Sequence, residues 1–466
     1  MSLIGRSATE MVALLRSGDV TPIDALDALA ERIDAVDGLV NALPIRFLDA
    51  AYEEASRWRP SGATGTLLAG LPVAIKDYSD VAGQVTSHGF RGTAHRRAVA
   101  DDAVVARVRA AGGIPYAKTN VPELAGGHTY NEVWGATRNP WHLGRSAGGS
   151  SGGSAAALAS GTAWLATGGD LGGSLRTPTG WTGTVGLRPT AGTIARGRVA
   201  VPSDVLNVEG PMGRDVRDTA LLLDAMAGAH PCDPLSREPG ESYRAWVDRR
   251  PGPFLVGFSA DLGIVPIDPE VRRLTTDALR HVVAAGGEVT DEHPDFTGAD
   301  DTARTLRAHL FATLHEDLLR TERDLLKTDI VRNVEHGLGL SSADVRRAER
   351  DRGALVARVA AFFTHHDLLV CPTAPLPAFP VDHDWPREIA GTPLRSYVDW
   401  IAITHVVSLT GCPILALPCA LTAAGTPIGL QLVGPPRSEG RLLTIGRRIE
   451  ESVGIARTLP IEPRPG

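Results

Sequence analysis

The chain has 466 residues, and with 43% hydrophobic and 22% charged residues its composition is that of an ordinary folded protein. Its 47 basic and 54 acidic residues leave a net charge of −7, which argues against nucleic acid as a partner because phosphate binding needs a basic surface. No apolar run reaches the roughly 18 residues of a membrane-spanning helix, and the first residues lack the apolar stretch of a signal peptide, so we expect a cytoplasmic location and no membrane contact.

The first predicted elements are two helices. Ser7 and Glu10 are spaced as a capping box that begins one helix. Thr21 is a favoured N-cap residue, and Pro22 after it begins a second helix whose apolar residues keep helical spacing to Ile33. We expect these helices to serve packing rather than chemistry.

A strand–helix–strand unit comes next. Apolar strands are predicted at 71–75 and 114–117, and a helix at 101–111 lies between them and ends at paired glycines. This order is typical of an α/β unit with parallel strands.

The remaining elements continue in the same mixed style. They are a strand at 162–167, a strand at 255–258, a helix from Asp268 to Gly286, a strand at 288–290, a helical region at 301–366, strands at 368–371 and 413–417, and a last helix at 442–451. No internal repeat or linker interrupts them. We predict an α/β fold in one large domain, with a central mixed, mostly parallel twisted sheet covered by helices on both faces. Its segments are N-terminal helices (1–60), a glycine-rich core that holds the candidate site (61–220), a helical and strand–helix segment (221–366) and a C-terminal return to the sheet (367–455).

Lysine is scarce in this chain. Only three of the 47 basic residues are lysines, namely Lys76, Lys118 and Lys327. Arginine stays protonated at ordinary pH, so it can serve wherever only a fixed positive charge is needed. A group that must lose its proton near neutral pH has to be lysine, which makes these three positions candidates for acid–base chemistry.

A first glycine- and serine-rich block spans residues 148–154 and reads Gly-Gly-Ser-Ser-Gly-Gly-Ser. It lacks the Lys-Ser or Lys-Thr of a phosphate-binding loop. It fits the spacing of a nucleophile elbow around Ser150 or Ser151, but that motif follows an apolar strand, and residues 135–144 are predicted as loop. Two interpretations stay open on this block alone: a bend that displays serine hydroxyls close to other backbone, and a purely structural turn.

A second block places Ser174 after paired glycines at the end of a strand. Successive backbone N–H groups in such a turn can converge on a developing negative charge, which is the arrangement of an oxyanion hole. We predict Ser174 as a nucleophile, with the amides of Leu171, Gly172, Gly173 and Ser174 facing the oxyanion.

At these motifs the sequence resembles the amidase signature family, over nearly the whole chain. The similar stretches are residues 70–77, 118–123, 148–154, 170–176, 186–190, 210–212 and 425–432. The resemblance implies a Ser–cisSer–Lys site, in which Lys76 is the base, Ser150 is the bridging serine after a cis Gly149–Ser150 bond, and Ser174 is the nucleophile. It also implies that the backbone at Ala125 contacts the substrate amide, and that no metal or organic cofactor takes part.

The expected function is hydrolysis of carboxamide C–N bonds through an acyl-enzyme on Ser174. Ser150 would pass the proton of Ser174 to Lys76, which must be neutral and therefore shielded from water. The alternatives are a carbamate or ester hydrolase with the same mechanism, a glutamine amidotransferase subunit, and a non-catalytic anion-binding protein. For Lys76 itself the alternative is a salt bridge with Asp77, while Lys118 is expected to support the site and Lys327 to lie on the surface.

Substrate contacts and partners are the least defined by the sequence. Trp181 and Tyr130, with Trp134, are candidates for an apolar substrate pocket, and core packing is the alternative for all three. We expect a small-molecule amide as the partner and leave a homodimer open.

Cysteines and histidines indicate no further centre. The four cysteines show no C-x-x-C spacing, which favours reduced thiols over a metal site or a disulfide framework. Fourteen histidines occur, His88 and His128 among them, but none lies in the two serine blocks. The sequence therefore favours the lysine–serine site, and a Ser–His–Asp site is the alternative.

Overall fold

The structure is a computed structural model that describes residues 2–58 and 66–465. Most strands of this part of the chain join one central sheet. In chain order the strands are β1 (Ile45–Arg46), β2 (Pro72–Lys76), β3 (Ile114–Thr119), β4 (Tyr130–Asn131), β5 (Gly135–Ala136), β6 (Arg138–Asn139), β7 (His142–Ser146), β8 (Leu165–Asp170), β9 (Val185–Arg188), β10 (Val208–Gly213), β11 (Phe254–Phe258), β12 (Gly287–Thr290), β13 (Leu368–Pro372), β14 (Glu388–Ile389), β15 (Thr392–Pro393), β16 (Ile414–Leu421) and β17 (Pro427–Val433). Eleven of them form the sheet in the order β1-β3-β2-β8-β10-β9-β16-β17-β13-β11-β12, and the others pair as three short ribbons.

The sheet is mixed. Parallel pairing is confined to two groups of three strands, β3-β2-β8 and β13-β11-β12, and the six antiparallel pairings lie between these groups and at β1. The first group contains the predicted strand–helix–strand unit, whose two strands pair in parallel with Pro72 opposite Ile114. The prediction of one α/β domain built on a large mixed sheet is confirmed. The predicted segment boundary at 60/61 lies outside the described residues.

The helices, in chain order, are α1 (Ala8–Ser17), α2 (Pro22–Val40), α3 (Leu48–Arg57), α4 (Ala103–Ala110), α5 (Gly152–Ser160), α6 (Arg176–Thr182), α7 (Val216–Met226), α8 (Arg244–Val247), α9 (Pro269–Asp277), α10 (Leu279–Ala284), α11 (Ala299–Thr321), α12 (Thr328–Leu338), α13 (Ser342–Phe362), α14 (Ala402–Ser408) and α15 (Glu439–Val453). Both predicted N-terminal caps are present, because Ser7 and Thr21 each accept a hydrogen bond from the third helical residue. The single helix predicted from Asp268 to Gly286 is instead two helices, α9 and α10, which meet at Ala278. Within residues 2–58 and 66–465, none of the helices combines the length and apolar character needed to cross a bilayer.

Helices cover both faces of the sheet. Along β13, Leu368 and Val370 belong to one hydrophobic cluster, which also contains residues of α1, α2, α7 and α15. Leu369 and Cys371 belong to a second cluster, built with residues of α11 to α14. Because neighbouring side chains of a strand point to opposite faces, the two clusters lie on opposite sides of the sheet.

Candidate active site

Lys76 is the last residue of β2, a strand with all five residues buried. Its Nζ donates to Ser150 Oγ at 2.9 Å, to Ser151 Oγ at 2.8 Å and to the Gly169 carbonyl oxygen at 3.1 Å. Asp77 is not its partner, since that carboxylate accepts from Lys118 Nζ at 3.3 Å. The three acceptors of Lys76 are uncharged, so its environment lacks the direct ion pair that would hold its proton.

Burial controls the protonation of Lys76. It lowers the pKa of this lysine to about 8, although the carboxylates of Glu209 and Asp170 act in the opposite direction. A substantial fraction of the side chain is therefore neutral at mildly alkaline pH. The sequence did not predict Glu209. This residue lies opposite Gly169 in the β8–β10 pair and lines one cavity together with Lys76, Ser150 and Ser174.

The first serine block forms the bend between β7 and α5. The peptide bond between Gly149 and Ser150 is cis. A side chain at Gly149 would overlap the backbone at Gly127 and His128, so the block must be glycine for the two segments to approach. Ser150 lines the cavity beside Lys76, whereas Ser151 does not and is fully buried.

The second serine block forms a tight turn between β8 and α6. Asp170 holds this turn by accepting from the backbone N–H groups of Gly173 and Leu175, each at 3.0 Å. Ser174 is half-buried and lines the same cavity as Lys76 and Ser150. Its hydroxyl has no hydrogen-bond partner among the described residues, and its carbonyl oxygen accepts from the Ser151 N–H at 3.2 Å.

The predicted oxyanion donors divide into two groups. The N–H groups of Leu171, Gly172 and Ser174 have no acceptor within residues 2–58 and 66–465, so they are free to bind an oxyanion. The N–H of Gly173 is already used by Asp170. The prediction therefore needs a correction at Gly173, because the sequence did not reveal that Asp170 folds back onto its own turn.

Two arginines neutralise Asp170. Arg176 pairs with both carboxylate oxygens, at 2.9 and 3.0 Å, and Arg188 lies 3.2 Å from one of them. Burial opposes ionisation of Asp170, but the two guanidinium groups outweigh it and hold its pKa below the usual range. Arg176 also donates to the Thr404 carbonyl at 2.9 Å and to Gln431 Oε1 at 2.8 Å, which ties the turn of Ser174 to the C-terminal part of the chain.

The cavity at these groups has a volume of about 360 Å³. Its apolar wall consists of Leu124, Ala125, Leu171, Val199, Ala200, Val201, Leu310, Phe311 and Leu314. Its polar groups are Lys76, Tyr78, His88, Ser150, Ser174, Arg196, Asp204, Asn207, Glu209, Arg307 and His315. Ala125 has positive φ, and its N–H donates to the Tyr78 hydroxyl at 2.6 Å.

The three aromatic candidates for substrate contact are absent from this wall. Trp134 donates through Nε1 to Ser87 Oγ at 2.9 Å. Trp181 is fully buried and stacks on Trp400, with 5.5 Å between ring centroids, so it belongs to the core. Tyr130 lies below the ammonium of Lys327, which is 4.8 Å from the ring centroid. Lys327 is accordingly half-buried rather than a surface residue.

Histidines reach the cavity without touching the serines. His88 and His315 both line it, and burial lowers the pKa of each to about 4. No histidine hydrogen-bonds to Ser150 or Ser174 within the described ranges. The four cysteines are free thiols. Among residues 2–58 and 66–465, no three His, Cys, Asp or Glu side chains are grouped so that they could hold a metal ion.

Comparison with known proteins identifies the family. The Amidase family model matches residues 24–443. An acylamidase of Rhodococcus erythropolis is 35% identical over 458 residues, which cover 95% of this chain and 94% of the relative. A glutamyl-tRNA(Gln) amidotransferase subunit of Moorella thermoacetica is 32% identical, with 99% of each chain covered. The solved structure of 6-aminohexanoate cyclic dimer hydrolase complexed with substrate matches with a TM-score of 0.89 at 28% identity, and the match covers 99% of this chain and 100% of that one.

The fold and these relatives define an enzyme that hydrolyses amide bonds. The chain belongs to the amidase signature family, which confirms the resemblance drawn from its motifs.

Proposed function

We propose that Ser174 attacks the amide carbonyl, that Ser150 transfers protons, and that Lys76 is the base. The observation that carries this proposal is the 2.9 Å hydrogen bond from Lys76 Nζ to Ser150 Oγ at the edge of the cavity that Ser174 also lines. Neutral Lys76 takes the proton of Ser150, which takes the proton of Ser174 as the acyl-enzyme forms. The Lys76 ammonium then returns its proton through Ser150 to the leaving nitrogen as the C–N bond breaks, and water attacks the acyl-enzyme to release the acid and restore Ser174.

The first experiment identifies the nucleophile. Ser174→Ala should abolish amide turnover and covalent labelling by a fluorophosphonate while leaving the circular dichroism spectrum unchanged. Labelling of a different serine in that variant would contradict the assignment.

The second experiment separates the two serines that contact Lys76. Ser150→Ala should lower kcat about 10²–10⁴-fold, because it interrupts both proton transfers. Ser151→Ala is the matched control, since Ser151 bonds the same ammonium at 2.8 Å but does not line the cavity. The loss of kcat in Ser151→Ala should be at least about tenfold smaller than the loss in Ser150→Ala. Equal losses would mean that both hydroxyls only position Lys76.

A second candidate function is that of a glutamine amidotransferase subunit, which the 32% identity to the Moorella thermoacetica protein over nearly the whole chain favours. It predicts hydrolysis of free glutamine and co-purification of a partner chain. Turnover of other amides without either of these results would instead favour the amide hydrolase proposed first. Assaying glutamine and a panel of anilides, esters and carbamates with one preparation decides between these substrates.

For partners, we propose a small amide that binds in the cavity and no nucleic acid. Light scattering of the purified enzyme measures whether two copies associate.

A further inference from the structure

Arg307 is a buried arginine that has no carboxylate partner. It lies on α11 and is 3% exposed. Its one hydrogen bond within the described residues runs from Nη2 to the Tyr397 hydroxyl, at 3.0 Å, and Nε has no acceptor. Its guanidinium carbon lies 4.3 Å from the centroid of the Phe311 ring. Most of its N–H donors are therefore unused although the group is out of solvent.

The other buried arginines of this fold do not share that condition. Arg176 and Arg188 both pair with Asp170. Arg214 donates to four backbone carbonyl oxygens. Arg304, a half-buried arginine one turn before Arg307 on the same helix, also has acid partners, at 2.7 Å from Asp300 and 2.6 Å from Asp399. A buried charge normally requires such partners, so Arg307 is built for a partner that the chain does not supply.

The location of Arg307 shows where that partner would bind. Its side chain lines the catalytic cavity and also an adjoining cavity of about 180 Å³. Three carboxylates line these cavities, but none forms an ion pair with Arg307. Asp204 pairs with Arg196 at 3.5 Å. Glu209 interacts with Lys76 and Arg196. Asp329 lines the second cavity and forms no ion pair with Arg307 within 4.0 Å.

We propose that Arg307 binds a carboxylate of the substrate, so that the preferred substrates are amides carrying an acid group several bonds from the scissile bond. This inference rests on the proposed function. The planar fork of guanidinium donors matches the two oxygens of a carboxylate. The apolar side chains of Leu310, Phe311 and Leu314 line the same cavity and can contact the hydrocarbon between the two groups.

The test compares matched anilides on the wild-type enzyme. Glutaric acid monoanilide carries the acid on the acyl side, 4-(hexanoylamino)benzoate carries it on the amine side, and hexananilide is the neutral reference. We expect one of the two acids to exceed the neutral anilide at least tenfold in kcat/KM. Preference for the neutral anilide over both acids would overturn the inference.

The variant series assigns the preference to this side chain. Arg307→Gln should raise KM for the preferred acid about 10–100-fold, with a change below about threefold for hexananilide. Arg307→Lys should recover part of the loss. Arg332→Gln is the matched control, because Arg332 is exposed and lines only the second cavity. An equal rise of KM for the preferred acid in Arg332→Gln would show that any nearby positive charge has the same effect, and it would contradict the proposal.

Binding without turnover separates this inference from the proposed function. Calorimetry with Ser174→Ala protein and whichever of the two acids the wild type prefers should show binding that the added Arg307→Gln substitution weakens at least tenfold. Binding independent of Arg307 would overturn the inference even in an active enzyme. Arg307-dependent binding in a protein that hydrolyses no amide would instead contradict the proposed function alone.

Discussion

The ammonium of Lys76 has only neutral acceptors around it, and this makes its role as a base testable by one substitution. Lys76→Arg keeps a positive charge but cannot accept a proton, so kcat should fall about 10²–10⁴-fold. In the wild type, kcat/KM should rise with pH and reach its midpoint near the Lys76 pKa of about 8. Lys327→Arg, in which the cation can remain over Tyr130, is the control and should stay close to wild-type rates. An active Lys76→Arg enzyme with the same pH profile would disprove the relay.

Glu209 should set the pH at which Lys76 works. Its negative charge favours the protonated lysine, so Glu209→Gln should lower the Lys76 pKa and move the midpoint of kcat/KM to lower pH. The other charges nearby remain balanced, because Asp170 pairs with Arg176 and Arg188, and Arg196 pairs with Asp204. A midpoint that stays in place, or moves to higher pH, would contradict this role.

The sequence predicted some site residues and missed others for a physical reason. Lys76, Ser150 and Ser174 occur in local patterns that the backbone itself requires, such as glycines where segments approach. Glu209 and Arg307 come from strands and helices whose neighbours only the folded chain decides. Trp181 is a candidate substrate contact in the sequence because an aromatic side chain can form an apolar pocket, and core packing is its alternative. Its ring instead points into the aromatic core, a direction that residue type alone does not reveal.

At the scale of elements, the turn 170–176 depends on glycine at position 173. Gly173 has φ of +117°, and an added Cβ would overlap Thr404 Oγ1. Gly173→Ala should therefore displace Ser174 and lower kcat/KM on the order of 10²-fold. Gly454→Ala is the matched control, since Gly454 also has positive φ, +78°, but open space around it. It should cost only about 1 kcal/mol in the free energy of unfolding and leave kcat/KM unchanged. Comparable kinetic losses in both variants would refute the steric argument.

Element prediction followed the strength of the local signals. The capped helices α1 and α2 and the apolar strands β2 and β3 were found near their true positions. Strands β9 and β10 were not predicted, because glycine and proline give them weak strand patterns and their pairing partners are distant in sequence.

For the whole molecule, stability should depend on a buried acid at position 123. Glu123 is 1% exposed, and one of its carboxylate oxygens has no hydrogen-bond partner within the described residues. Burial raises its pKa to about 7, against a model-peptide value of about 4.3 in the unfolded chain. The folded state therefore binds the extra proton between these values. The stabilisation of the folded state by this proton is complete below the pKa of the unfolded chain and is lost as pH rises through 7.

Urea unfolding at pH 5 and pH 8 measures this contribution. From pH 5 to pH 8 the free energy of unfolding of the wild type should fall by about 2 kcal/mol more than that of Glu123→Gln, which cannot titrate. Equal losses in the two proteins would show that Glu123 has an ordinary pKa.

The tie between Arg176 and Gln431 has a consequence for biosynthesis. The two residues are 255 positions apart. At synthesis rates of about 5–20 residues per second, Gln431 leaves the ribosome roughly 10–50 s after Arg176. During that interval the turn that carries Ser174 lacks the C-terminal partners that hold it. We therefore expect the nascent chain to hydrolyse no amide until β17, the strand that contains Gln431, has been made.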